Sequence, residues 1–425
     1  MNHANRFRWI DTTVLLWLVM AIIPCRAADW TEFRGPTGQG HAGNLGLPIQ
    51  WSESDHIAWK VAIDGHGWSS PVTSAGRIYL TTAIPEGEGN PPPHVMKVLC
   101  MDGADGKLIW ASEVFRHPKE QKLEFHSKNS HASPTPVLDG DRLFVHFGPY
   151  GTACLKTDGT VVWKNDELKY DPQHGNGGSP ALTEQLMIIC CDGKDQQFVV
   201  GLDRQTGRIV WKTKRDTTPA SGFSFCTPTI IQVNGALQAV CPGSQAVFAY
   251  NPETGAEIWR VVYGQGFSVV PRPVYGHGLV FICTGFGDGQ LLAIDPTGTG
   301  DVTTSHVKWS AKKGVPKSPS LLLVDQHLYM VDDEGVATCL NALTGDSIWT
   351  HRLGGAFSAS PLHAGGKIYF QSESGETTVI DAAAEYREVG KNQIGGESVR
   401  TFASFAVLNE DILLRSDSHL YRISK

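Results

Sequence analysis

The chain has 425 residues, with 36 lysines and arginines against 43 aspartates and glutamates and a formal net charge of −7. That balance, without basic clusters, excludes the electrostatic footprint of a nucleic-acid-binding protein. With 46 glycines, 24 prolines and 19% charged residues the composition is that of an all-β fold, and length alone suggests two or three domains of roughly 150 residues each.

Residues 1–27 read as an export signal. Arg6 and Arg8 precede an apolar run over 14–23, and Cys25-Arg26-Ala27 offers small residues where a signal peptidase cuts. The run is short for a membrane span, and no later segment is long and apolar enough to be one. Pro24 stands where a lipoprotein signal wants a small residue before its cysteine. The expected location is therefore the periplasm or cell envelope, and loss of Arg6, Arg8, Arg26 and Asp11 moves the net charge from −7 to −9. Residues 28–56 form an N-terminal extension. Its glycine-rich stretch 30–40 has no strand before it and no helix after it, so a phosphate loop is excluded. It is expected to pack on the domain that follows, with Trp30 and Phe33 as anchors.

Residues 57–425 repeat one unit. In four copies an Asp or Asn stands eight residues before a Trp and a Gly four before it: Asp102 with Trp110, Asp203 with Trp211, Asn251 with Trp259 and Asn341 with Trp349. Weaker copies end at Trp163 and Trp309, and Asp381 leads to Val389 in place of a Trp. Starting from Trp59, these positions are 40 to 53 residues apart, and 390–425 supply a last partial unit, making eight. Within the units lie Ser70-Pro71, Ser133-Pro134, Ser179-Pro180, Thr227-Pro228, Val270-Pro271, Ser318-Pro319 and Ser360-Pro361. A β-rich segment such as Arg77-Ile78-Tyr79-Leu80 follows each. Four short strands per unit, with no helical periodicity, predict a propeller blade, and a closed ring of repeats is one domain.

One blade cannot bury both faces alone, so neighbours must stack. A flat indole closing the fourth strand is suited to wedge between blades, burying on the order of 200 Å². The Gly permits a left-handed turn, and the Asp or Asn accepts the turn's N–H groups. The last unit has three strands, whereas Ile57-Ala58-Trp59-Lys60-Val61 is a spare one. This N-terminal strand is predicted to complete the last blade and hide two open edges. The expected fold is an all-β, eight-bladed propeller of four-stranded antiparallel blades. Eight cysteines beyond residue 27 lie mostly in apolar strand-like runs and are expected as small packing residues, with a disulfide framework as the alternative. No CxxC pair supports a metal or haem site.

The best copy of the frame, Ala249-Tyr250-Asn251-Pro252-Glu253-Thr254-Gly255-Ala256-Glu257-Ile258-Trp259, resembles the tryptophan-docking repeat of quinoprotein dehydrogenases, whose eight-bladed propellers hold pyrroloquinoline quinone (PQQ). The chain as a whole is similar to exported PQQ-like propeller repeat proteins and, in plan, to the BamB-like scaffold of outer-membrane barrel assembly. The first resemblance implies PQQ, a calcium held by Glu, Asn and Asp oxygens, a catalytic Asp, an Arg near the quinone, and oxidation of an alcohol or sugar. The second implies a scaffold that binds a protein partner. Cys190-Cys191 repeats a quinoprotein pairing of adjacent cysteines, but strand alternation sends the two side chains to opposite faces, as for packing residues. The long inter-blade insertions that roof a quinone are missing. The expectation is an exported, non-catalytic propeller that binds a ligand or protein partner; a PQQ-dependent oxidoreductase is the alternative.

In a propeller the segment that leads into the innermost strand lies at the central channel. The polar insertion over 115–130, continuing through His131, and the stretch 170–180 place His126, Lys128, Asn129, His131, His174 and Asn176 there. Arg272, Lys317 and Arg400 hold similar positions further on. Cationic and amide groups at a channel mouth suit a small anionic ligand such as a carboxylate, quinone acid or sugar acid; the alternative is polar groups bonded to water in a wet channel. No metal is assigned to His126, His131 and His174, because ligand geometry across blades is not legible in sequence.

Overall fold

The computed structural model describes Met1 and residues 29–88, 92–117, 125–396 and 398–425, so the expected export signal lies, but for Met1, outside the described residues. Eight sheets are each built on four antiparallel strands, numbered here as blades 1 to 8 in the order of their inner strands. Those inner strands begin at Val72, Val137, Ala181, Thr229, Val274, Leu322, Leu362 and Ala406. Blade 8 is built from Ala406–Leu408, Asp411–Arg415 and His419–Ile423, and Ile57–Ala62 supplies its outer strand, with Lys60 opposite Tyr421 and Val61 opposite Leu420. The first strand thus closes the ring as expected, and the ring has no open seam between its ends. The longer excursion before Trp309 adds a short parallel strand, Gly300–Asp301, to the edge of blade 4.

The repeated frame has a physical explanation. In blades 1 to 6 the indole-bearing residue pairs across strands with a small residue: Cys100 with Trp110, Cys154 with Trp163, Gly201 with Trp211, Ala249 with Trp259, Ala293 with Trp309 and Cys339 with Trp349. A one-residue register shift follows each pair, a bulge that turns the indole out of the ladder toward the next blade. There its N–H donates to the turn: Trp59 to the Gly103 carbonyl at 3.1 Å, Trp110 to Thr157 at 3.2 Å, Trp163 to Arg204 at 2.9 Å and Trp211 to Pro252 at 2.9 Å. The ring lies on the turn's glycine, so a Cβ at Gly207 or Gly255 would overlap Trp163 or Trp211. That glycine has positive φ as well, and each requirement alone excludes most side chains. The Asp or Asn holds the same turn, as where Asn251 Oδ1 accepts from the N–H of Glu253 and Thr254.

Two units depart from the frame. Trp259 is fully buried and donates to Gln238 Oε1 at 2.8 Å, while Gln238 Nε2 donates to the Pro296 carbonyl of blade 5 at 3.2 Å. The amide relays a bond that the other tryptophans make directly. In blade 7 the register puts Gly390, not Val389, in the tryptophan's place, opposite Val379. The backbone of Ile49 lies against Gly390, and Trp51 is buried in the same cluster as Val379 and Ile394. Trp51 N donates to Asn392 Oδ1 at 2.7 Å and Asn392 Nδ2 returns a bond to the Ile49 carbonyl at 2.9 Å. Residues 47–51 therefore fill the groove where blade 7 lacks an indole. All eight described cysteines are buried and unbridged. Among the described residues no helix is long and apolar enough to cross a membrane.

Candidate ligand site at the channel mouth

The inner strands are preceded, two residues upstream, by Ser70, Thr135, Ser179, Thr227, Arg272, Ser320, Ser360 and Ser404. The repeat phase at this point is Thr135-Pro136, Arg272-Pro273 and Ser320-Leu321, two residues beyond the Ser133-Pro134, Val270-Pro271 and Ser318-Pro319 expected from sequence. The doubled S-P-T-P and P-R-P patterns made the two phases look alike.

The seven hydroxyls form a ring around the channel. Ser70 N donates to Thr135 Oγ1 at 3.0 Å, Thr135 N to Ser179 Oγ at 2.8 Å, and Ser179 N to Thr227 Oγ1 at 3.0 Å. The ring resumes with Arg272 N to Ser320 Oγ at 3.0 Å, Ser320 N to Ser360 Oγ at 3.1 Å and Ser360 N to Ser404 Oγ at 2.8 Å. Each of these six hydroxyls accepts a backbone N–H from the preceding blade, and among the described residues none donates its own proton to a protein group. Ser70 Oγ, where the ring ends, is buried without a partner.

The N-terminal extension closes the channel below this ring. Thr73 N donates to the Trp30 carbonyl at 2.8 Å, Leu138 N to Thr31 at 2.8 Å and His363 N to Gly40 at 2.8 Å, so the segment touches blades 1, 2 and 7. Arg272 is the ring position that gives up its hydroxyl, and its buried guanidinium reaches the extension: Nη1 donates to the Phe33 carbonyl at 2.7 Å and Nη2 lies 2.8 Å from Glu32 Oε2. Arg34 is buried beside it, donating to the Leu321 carbonyl at 2.5 Å; burial first and then Arg272 lower its pKa to about 9.

Above the floor is a cavity of about 480 Å³ with Phe33 at its base and the hydroxyl ring in its wall. Two residues further upstream the chain turns the next side chains inward, by the two-residue period of extended backbone. This tier includes Trp68, Phe225, Val270 and Phe402. Trp68 and Phe402 pack with ring centroids 4.6 Å apart. On the opposite wall Phe223, Phe225, Phe267 and Phe286 form a shelf, with centroid separations of 5.9, 5.7 and 6.4 Å along the series 225–223–267–286. Sequence reading missed all of these. The signal was present as an aromatic two residues before the Ser/Thr of the ring.

Five of the nine polar residues expected at the mouth line this cavity: His126, Lys128, Asn129, His174 and Lys317. His126 and His174 meet edge to face at 5.5 Å, and Asn129 Nδ2 donates to the His174 carbonyl at 2.8 Å, tying two connections together. Lys128 reaches across the mouth to Glu373 of blade 7, 2.6 Å away, and Ser358 Oγ donates to the same oxygen at 2.5 Å. Lys317 Nζ sits 5.3 Å from the Phe286 ring centroid, while Asp333 accepts from Lys317 N at 2.7 Å and from Ser318 Oγ at 2.6 Å.

The structure does not bring the other four to the cavity. His131 packs with His94 at 4.3 Å and Tyr150 at 5.4 Å, and burial followed by His94 and His117 lowers its pKa to about 3. Asn176 accepts from Tyr170 at 2.7 Å. Arg272 turns toward the extension, and Arg400 lies 3.9 Å from Asp417. Each sits at a connection as expected, but backbone direction, which sequence does not carry, sends its side chain elsewhere. Asp333 and Glu373 were also missed; both stand two residues before the glycine of a strand 2–3 turn, Gly335 and Gly375.

Comparison with known proteins follows the fold. A family model described as outer membrane protein assembly factor BamB matches residues 94–323 and 288–387. Among solved structures, BamB from Moraxella catarrhalis superposes with a TM-score of 0.60 at 14% identity over 87% of this chain and 99% of that one. Quinohemoprotein alcohol dehydrogenase from Comamonas testosteroni gives 0.62 at 11% identity over 93% and 80%. The computationally designed Ika8 protein gives 0.57 at 11% identity over 89% and 100%. At these identities the likeness is one of fold. No curated protein matches the chain.

The described residues do not fit PQQ and calcium. No group of three or more His, Cys, Asp or Glu among them is arranged to hold a metal ion. The two cavity carboxylates are already engaged by Lys128, Ser358, Ser318 and backbone N–H, and Arg272 and Arg400 face away from the cavity.

Proposed function

The chain belongs to the family described as outer membrane protein assembly factor BamB, and from that premise we propose that it is an exported, non-catalytic propeller that takes a ligand, or an inserted segment of a protein partner, into its channel mouth. The observation that carries this reading is the makeup of the mouth. Aromatic rings and unspent hydroxyl donors line it, whereas Lys128 is paired with Glu373 and Asp333 holds the turn before Ser318. A general base needs a free lone pair aimed at a reacting proton; Asp333 holds the turn before Ser318 with both its oxygens, and Glu373 is paired through Oε1 with Lys128 and Ser358. A binding site asks for a concave, largely apolar lining with a few convergent polar groups, and 480 Å³ lies within the usual size range.

The test has two arms. Purified protein supplied with PQQ and calcium is expected to give no dye reduction across alcohols and sugars; turnover would overturn the non-catalytic reading. Saturation-transfer NMR with small aromatic fragments is expected to show binding that is lost in Phe225→Ala. Absence of any such binding would remove the mouth as the site.

A further inference from the structure

We propose that the mouth recognises a neutral glycan, with one pyranose ring stacked on the phenylalanine shelf and its hydroxyls on the floor ring and Glu373. This rests on the reading of the mouth as a binding site and assigns the class of ligand.

Three observations narrow the class. First, the two walls offer flat apolar faces, the Trp68–Phe402 pair and the Phe223–Phe225–Phe267–Phe286 shelf. These suit a ligand with a flat apolar face of its own, such as the C–H face of a pyranose. Second, the floor between those faces presents two runs of O–H groups, each of which accepts one backbone N–H and, among the described residues, keeps its own proton unspent. A wholly apolar guest would bury those donors unpaired, which is unfavourable. A guest must bring acceptor oxygens, and sugar hydroxyls and ring oxygens are such acceptors. Third, the charges of the described lining cancel. Lys128 is neutralised by Glu373, and Lys317 sits over Phe286 near Asp333. The arginines expected to draw an anion, Arg272 and Arg400, are engaged elsewhere. An anionic ligand would meet two carboxylates in the rim, and a cation two ammonium groups. A neutral polyol meets neither penalty.

Glu373 adds directionality. The contacts from Lys128 and Ser358 fall on its Oε1. Among the described residues its second oxygen is left to accept from a sugar hydroxyl, a charge-assisted bond stronger than a neutral one. A sugar is a donor as well as an acceptor, so it satisfies the floor O–H groups and the rim carboxylate together. A quinone acid or an aromatic side chain satisfies one and not the other.

The experiment is calorimetric titration of the purified protein with neutral hexose tetramers, with an oligogalacturonate, and with a neutral phenylalanine-rich peptide. Neutral tetramers are expected to bind with affinity unchanged by added salt, since no net charge is exchanged. Phe225→Ala and Phe402→Ala are each expected to weaken binding about tenfold, as for loss of one stacking contact. Glu373→Gln is expected to weaken it several-fold, with the melting temperature of every variant checked against the parent. Preference for the oligogalacturonate with a steep salt dependence, preference for the peptide, or silence with all saccharides while aromatic fragments still bind would each overturn the glycan assignment and leave the mouth as a binding site. Silence with fragments and saccharides alike would overturn both readings.

Discussion

Replacing Arg272 by serine restores the hydroxyl found at the other seven ring positions and removes the side chain that joins the ring to the N-terminal extension. In the parent the guanidinium donates to the Phe33 carbonyl at 2.7 Å and the Pro228 carbonyl at 3.2 Å, and pairs with Glu32 at 2.8 Å, while only 3% of the residue is exposed. Bonds to charged groups contribute about 1.5–3 kcal/mol each and do not add simply, and breaking a fully buried ion pair costs about 3–5 kcal/mol. Glu32 is 21% exposed and regains water once its partner is gone, which lowers the figure. The expected cost is therefore about 2–4 kcal/mol, falling on closure of residues 30–43 rather than on the ring of blades. Gly38 packs directly against the guanidinium, so the segment also loses its packing support there.

Hydrogen-exchange mass spectrometry resolves where that cost falls. Peptides covering 30–43 should lose protection by roughly 30-fold or more, the factor that corresponds to 2 kcal/mol. Peptides from the third strands of blades 2 to 4 should exchange as in the parent. The fragment that carries Thr73 should follow the extension, because its N–H donates to Trp30. Unchanged exchange over 30–43 would refute the view that Arg272 was recruited from the ring to hold the extension. A loss spread evenly over all blades would refute it too, placing Arg272 in the ring's own stability.

Two further predictions concern the scaffold. Gln238→Leu keeps side-chain volume but strands the buried Trp259 N–H and the Pro296 carbonyl, so denaturant titration should show a loss of about 2–4 kcal/mol; a loss below about 0.5 kcal/mol would mean that the relay carries no weight. His146 is 1% exposed, and burial lowers its pKa to about 3, so it is neutral in the folded chain. The unfolded chain takes up this proton first as pH falls below about 6.5, hence stability is fully present above that pH and is lost on the way down toward 3. At pH 5 the loss is about 2 kcal/mol, and His146→Gln should flatten that part of the stability–pH profile; an unchanged slope would assign the acid sensitivity to other groups.

Much of the fold was legible because the frame Asp/Asn–Gly–Trp encodes a contact between consecutive blades. The glycine is small because the preceding indole lies on it, and Cys100, Gly201 or Ala249 is small because an indole stands opposite. Such constraints repeat in every unit, so periodicity exposes them without knowledge of the structure. Where a unit broke the pattern, reading it by spacing alone failed. Gly390 rather than Val389 holds the tryptophan's register, since the bulge position is set by pairing and not by counting. The site was half legible. Position in the chain correctly indicated which segments approach the channel, as with His126, Lys128 and Lys317. It could not say which side chains turn inward, because the backbone direction of each connection decides this, as for His131, Asn176 and Arg400. The aromatic residues of the second tier were missed, because their signal, an aromatic two residues before the ring Ser or Thr, recurs in only three of the eight units, at Trp68, Phe225 and Phe402.

The extension also decides what kind of site the mouth is. An open propeller channel admits solvent from both ends, and polar groups along it are then hydrated from either side. Here residues 30–43 bond to inner strands on several blades, and Phe33 forms the base of the cavity. The extension therefore covers the cavity on the Phe33 side, and in the proposed binding role a ligand enters from the opposite face. Burial at the base strengthens each hydrogen bond made there and raises the cost of each left unmade. A scaffold that works through its outer loops has no use for such a base. The sacrifice of one ring hydroxyl to Arg272, which fastens the extension in place, makes sense if the closed floor itself matters.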